Sequence, residues 1–301
     1  MKSIKTLVLL SIVSVGTLVA GCAGSGRPDN VPIPDEDADG MPIGNRNRKV
    51  RPGITVLLDD SIKLIAGKRV ALITNQTGVD EKGRRSIDLL ATDLRAQRAG
   101  VKLVRLFAPE HGATGTADRP NLSDEKDQTT GLTIYSLYQN RTIAPPDSLL
   151  TDVDVLVVDL QDIGTRTWTY VGVMLYAMQA GAKRGIPVLV LDRPNPITGA
   201  RAEGALLDSA LANGDMPVAG NRTNGFALYP MPLRHGLTMG EMARLFQAQF
   251  KLATRLTVVP MRNWRRGMWF DETALPWVRP SPNMPNVTSA LLYPALVPFE
   301  A

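Results

Sequence analysis

Asp154-Val155-Leu156-Val157-Val158-Asp159 is the stretch on which the fold turns. Four aliphatic residues in a row leave no polar face for water. They read as a short strand covered on both sides, the mark of a parallel sheet. Similar runs lie on either side: Arg69–Thr74, Val101–Phe107, Pro187–Leu191 and Leu256–Val259. Between them the apolar spacing turns helical. Ser86–Arg98 carries Ile87, Leu90 and Leu94; Tyr170–Lys183 follows the Asp154–Asp159 run; Thr238–Phe250 presents Met242, Leu245 and Phe246. Strands alternating with helices predict an α/β, Rossmann-like parallel sheet with helices on both faces.

Composition agrees with a globular chain. Of 301 residues, 44% are hydrophobic and 21% charged, which excludes wholesale disorder and a disulfide-stapled scaffold. Lys and Arg exceed Asp and Glu by 34 to 29, with no basic stripe interleaved with aromatics, so a nucleic-acid partner is not expected. The single cysteine excludes an internal disulfide and a Cys-rich metal site.

That cysteine ends an address. Two lysines in the first five residues precede an apolar run from Thr6 to Ala20, too short for a membrane span. Val19-Ala20-Gly21-Cys22 then resembles a bacterial lipoprotein signal, with residues 1–21 removed and Cys22 lipidated. The expected location is the cell envelope: lipid-anchored, facing the periplasm, at the outer membrane because Ala23 follows the cysteine. An ordinary signal peptide is the alternative. Residues 22–50, with Pro32, Pro34 and acids at 35, 36, 37 and 39, read as a flexible tether.

In open α/β sheets, ligands bind beyond the carboxyl ends of the strands. The residues after four successive strands are chemically rich here. They are Asn75-Gln-Thr-Gly78, Ala108-Pro-Glu110-His111-Gly112, Gln161-Asp162-Ile-Gly164-Thr-Arg166-Thr-Trp168-Thr-Tyr170 and Asp192-Arg193-Pro-Asn195-Pro196. Plain turns need Gly, Pro, Asn or Ser, not Glu-His or Asp-Arg pairs.

The nucleotide-binding glycine patterns are missing, and so is the Gly-x-Ser-x-Gly elbow of serine hydrolases. Two histidines, His111 and His235, give no metal-ligand spacing. No cofactor or metal is expected. Carboxylates remain: Glu110, Asp159, Asp162, Asp192 and Glu203. Carboxylate pairs with arginine and aromatic neighbours suit glycoside hydrolysis, in which one acid protonates the leaving oxygen. Trp168 and Tyr170 are candidates for stacking on a sugar.

Seven stretches in order resemble the NamZ family of exo-β-N-acetylmuramidases, formerly a domain of unknown function. They are Leu72–Gly78, Phe107–Gly112, Asp159–Arg166, Thr169-Tyr170, Asp192–Pro196, His235–Glu241 and Pro280–Pro285. The resemblance implies a Rossmann-like domain over residues 51–262 and the beginning of a smaller, incomplete C-terminal domain over 263–301. It also implies a cleft between them and release of N-acetylmuramic acid from the non-reducing end of peptidoglycan fragments such as MurNAc-GlcNAc. Family members continue past Ala301, so the chain reads as a truncated form. A muropeptide-binding lipoprotein without catalysis, or an inactive truncated member, is the alternative.

Each candidate has a plain counterpart. Glu110 is the expected acid, or a surface loop residue. Asp162 is a base or nucleophile, or opens an Asx turn before Gly164. His111 orients Glu110 or binds substrate, or is a backbone-bonded loop histidine. Tyr170 donates to the sugar, or packs at its helix start. Arg166 pairs the lactyl carboxylate of muramic acid, or makes an internal salt bridge to Asp162 or Asp159. Asn75, Arg193, His235 and Asn283 are expected at the substrate; Asn195, held between two prolines, is a rigid cleft amide or a turn. Glu241, three residues after Thr238, is assigned to a capping box.

Overall fold

The computed structural model describes residues 49–115, 123–138, 143–212 and 227–299. The signal segment, Cys22 and nearly all of the tether lie outside the described residues.

Six parallel strands form the body of one sheet: β1 (Arg69–Thr74), β2 (Lys102–Ala108), β4 (Thr133–Ser136), β5 (Val155–Asp159), β6 (Val188–Leu191) and β9 (Leu256–Val259). A two-residue strand, β3 (Glu125–Lys126), joins β4 antiparallel at the edge. The spatial order is β3-β4-β2-β1-β5-β6-β9. Taking the six parallel strands in chain order, this is the 3-2-1-4-5-6 order of the Rossmann fold. The order reverses between β1 and β5, the switch point at whose carboxyl side such folds place their ligands.

Burial follows the pleat. Ala71, Ile73, Leu156, Val158, Val188 and Val190 enter one apolar core. Val70, Leu72, Val155, Val157, Leu189 and Leu191 enter the other, because successive side chains of a strand point to opposite faces. The first core receives α4 (Tyr170–Arg184) and α5 (Met239–Gln249), with Met174, Tyr176, Met242 and Phe246 fully buried. The second receives α1 (Gly53–Asp60), α2 (Ser86–Thr92) and α3 (Leu94–Arg98). Covered on both faces, the central strands need no polar residues.

The single helix expected over 86–98 is two. Asp93 adopts an extended conformation, and its side chain accepts from the Arg95 backbone N–H. It therefore ends α2 and caps α3. A separate two-stranded sheet pairs β7 (Glu203–Leu206) with β8 (Pro232–Arg234). The last helix, α6 (Val287–Leu296), packs Ala290 and Tyr293 on the first core, as the preceding segment packs Trp277 and Met284.

Candidate functional site at the carboxyl edge of the sheet

Parallel strands bring the loops after β1, β2, β5 and β6 to one edge, and hydrogen bonds stitch them together. The Thr77 hydroxyl accepts from the Gln161 backbone N–H at 3.1 Å. The Gln161 amide donates to the Asp162 and Pro194 carbonyls at 2.7 and 2.8 Å. Across the switch point, Arg193 donates to Asp159 from Nε at 2.6 Å and Nη2 at 3.0 Å, and to the Val79 carbonyl at 2.8 Å. Ser86 donates to the same carboxylate. Asp159 is 0% and Arg193 4% exposed, so this pair holds three loops in register beneath the surface. The expectation that Arg193 reaches substrate is met by a guanidinium already committed inside the protein.

Asp192 is also inward. It accepts from Gly240 N–H at 2.8 Å, from the Thr238 hydroxyl at 3.0 Å and from its neighbour's N–H at 3.0 Å. Burial nevertheless raises its pKa to about 6. Asn195 donates to the Leu237 carbonyl at 3.0 Å and accepts from the Ile197 N–H at 3.1 Å. Its amide pins loops together and does not point into a cleft.

Asp162 opens an Asx turn: Oδ2 accepts from Gly164 N–H at 2.6 Å. The imidazole Nε2 of His235 stands 3.1 Å from that oxygen, poorly aligned for a hydrogen bond, and its Nδ1 accepts from Leu237 N–H at 3.1 Å. An accepting Nδ1 puts the proton of neutral His235 on Nε2, facing Asp162. Both side chains are buried, and Asp162 Oδ1 has no partner among the described residues.

Arg166 makes neither of the salt bridges considered for it. Its Nη1 donates to the Met231 and Ala205 carbonyls at 2.6 and 3.0 Å, and no carboxylate pairs it among the described residues. Desolvation lowers its pKa from the ordinary arginine value. Trp168 is packed edge-on against Tyr170 and Tyr293, at ring centroid separations of 5.3 and 6.0 Å, and has no face for a sugar.

Tyr170 is 1% exposed and donates to the Pro280 carbonyl at 2.6 Å. Burial, with Glu110 nearby, pushes its phenol well above the ordinary range. Asn75 is fixed by accepting from Thr77 N–H and hydroxyl, at 3.0 and 2.6 Å. Its Nδ2 lies near the Tyr170 hydroxyl, outside good hydrogen-bond geometry. The Arg279 carbonyl accepts from the Gln76 side chain at 2.7 Å. Residues 279–280 are thus tied to the loop after β1 and to Tyr170, and exposed Asn283 follows three residues later.

Glu110 is the exception among the inward carboxylates. It is half-buried, on the turn that ends β2, and Oε2 accepts from the Thr169 hydroxyl at 3.0 Å. Next to it His111 takes a left-handed backbone, φ 68°, followed by Gly112 at φ 74°. That sharp turn is a strained conformation of the kind that collects at functional sites. Tyr138 is near enough to Glu110 and Thr169 for both to act on its phenol, which burial and the Glu110 charge raise. Glu203 stands apart on β7, exposed and paired with Arg234. Sequence reasoning assigns neither Thr169 nor Tyr138 a role: Thr169 lies in the Thr169-Tyr170 stretch, but a threonine before a helix reads as a cap, and Tyr138 belongs to no motif.

The family model described as "Exo-beta-N-acetylmuramidase NamZ, N-terminal" matches residues 70–288. A curated relative, the peptidoglycan beta-N-acetylmuramidase NamZ of Bacillus subtilis (strain 168), is 44% identical over 248 residues. That match covers 82% of this chain and 56% of the relative, so the chain spans little more than half its length. Crystal structures of two DUF1343 family proteins from Bacteroides fragilis NCTC 9343 share the fold. One has a TM-score of 0.72 at 37% identity, covering 84% of this chain and 60% of the other. The second has a TM-score of 0.66 at 29% identity, covering 84% and 62%.

Proposed function

Because the chain belongs to the family of NamZ N-terminal domains, we propose that it is a glycoside hydrolase releasing N-acetylmuramic acid from the non-reducing end of peptidoglycan fragments. One observation carries the catalytic part. Of the carboxylates on the sheet's carboxyl edge, Asp159, Asp162 and Asp192 are buried and bonded inward, while Glu110 is half-open and accepts from the Thr169 hydroxyl. Glu110 is then the acid that protonates the leaving glycosidic oxygen.

Asp162 is the candidate second carboxylate. Its place beside His235 suits a base or nucleophile acting from beneath the substrate. The uncompensated guanidinium of Arg166 suits the lactyl carboxylate that distinguishes muramic acid from other amino sugars. Asn75, His111 and Asn283 complete the proposed sugar contacts. The short apolar run ending at Ala20-Gly21-Cys22 supports a lipid-anchored, periplasm-facing protein of the outer membrane.

The test is release of N-acetylmuramic acid from a peptide-free MurNAc-GlcNAc disaccharide by the full chain and by Glu110→Gln. Release by the wild type, abolished in Glu110→Gln without a change in melting temperature, is the expected result. Tight binding without release would make this chain a muropeptide-binding protein. Equal release by both proteins would remove Glu110 from the mechanism.

A further inference from the structure

Thr169 stands at the N-cap of α4, where a threonine hydroxyl ordinarily accepts from the second or third helical N–H. Here it makes no capping bond. Thr169 is itself in the helical conformation, φ −75° and ψ −14°, which does not turn its hydroxyl onto the first helical N–H groups. The hydroxyl donates instead to Glu110 Oε2 at 3.0 Å, a carboxylate 59 residues away in the chain.

The Tyr138 hydroxyl stands beside the same two groups, two residues past the end of β4. Burial and the Glu110 charge both raise its pKa, so it stays a proton donor. Each hydroxyl has one proton to give. Thr169 directs its proton to Glu110, and the Tyr138 phenol lies beside both groups with its own proton to give. The segments after β2, β4 and β5 thus converge on one carboxyl group.

We propose that Thr169 and Tyr138 are positioning residues that fix the Glu110 carboxyl toward the scissile oxygen. This rests on the reading of Glu110 as the acid. A side chain with three rotatable bonds on a left-handed turn would otherwise sample several rotamers. Hydroxyls arriving from two other loops leave it one. Rate then depends on the pair while substrate affinity does not, since neither hydroxyl is assigned a sugar contact.

The experiment compares the full chain with Tyr138→Phe, Thr169→Val and Thr169→Ser on the MurNAc-GlcNAc disaccharide, with thermal unfolding of each and crystal structures of the first two. Tyr138→Phe and Thr169→Val should each lower kcat about tenfold to a hundredfold, with KM nearly unchanged, the effect of losing a hydrogen bond to a charged group. Melting temperatures should stay near wild type, because Thr169 has no capping bond to lose. Thr169→Ser should recover most of what Thr169→Val loses. Wild-type kcat in both hydroxyl-deleted variants would overturn the inference, as would a loss confined to KM. If the wild type releases no N-acetylmuramic acid, the functional reading fails, and the crystal structures decide the inference alone. A displaced Glu110 carboxyl would support it, and an unmoved one would overturn it.

Discussion

Asp159 and Arg193 occupy the centre of the carboxyl edge, yet neither meets solvent. Their residue types alone suggest a site. What removes them from it is proximity across 34 residues of chain, which no local pattern reveals. Arg193→Met would leave the Asp159 charge buried and unpaired, and should cost about 3–5 kcal/mol of unfolding free energy in urea. A loss under 1 kcal/mol would show that water reaches the pair. Gly164 is constrained differently. Its φ is 85°, and a Cβ there would stand 2.6 Å from Asn195 Oδ1 and 2.5 Å from Ile197 Cγ1. Gly164→Ala should therefore destabilise by more than about 1 kcal/mol and disturb the Asp162 turn, visible as lowered melting temperature. The glycine was legible as part of a motif; the contact that excludes a side chain was not.

At the scale of elements, α5 shows how much local sequence can settle. Thr238 and Glu241 form the expected capping box: the Thr238 hydroxyl accepts from Glu241 N–H at 3.2 Å, and Glu241 accepts from Thr238 N–H at 2.9 Å. Thr238→Ala should cost about 1 kcal/mol, read from chemical denaturation. The same helix start carries a pH dependence that the sequence hides. Asp192, beneath it, has its pKa raised by burial from 3.8 to about 6. The folded protein then binds a proton between those values that the unfolded chain has released. Stability contributed by this group should fall as pH rises from about 4 to about 6 and level off above. Asp192→Asn should flatten that part of a melting-temperature profile. Asp93 and Asp154, lowered to about 2 by their arginine partners, act only at lower pH, so the two effects separate. A wild-type slope unchanged in Asp192→Asn would assign the dependence elsewhere. The 86–98 helix marks the limit of periodicity: an apolar stripe runs through Asp93 unbroken, while the backbone stops there to form a new cap.

Across the whole molecule, stability should be graded from the sheet centre outward. β5 is buried along its length and paired on both sides, whereas β7 is exposed at all four residues and belongs to a two-stranded sheet. Amide exchange should be slowest in β1 and β5 and fast in 203–206; comparable protection of both would contradict this gradient. Local pattern determined most of the architecture: five parallel strands, the helices over 170–184 and 239–249, and the common edge on which the polar loops lie. Runs apolar on both faces can satisfy their backbone and their side chains only inside a covered parallel sheet, so these features follow from the chain itself. Strands β3, β4, β7 and β8 were not legible, being two to four residues long and largely exposed or half-buried. Tertiary structure alone decided which charges remain available. Burial, partner identity and hydroxyl direction depend on distances between residues tens of positions apart. That is why Asp159, Arg193, Asp192 and Asn195 turned inward, while Glu110 kept an open face and acquired Thr169 and Tyr138 as neighbours.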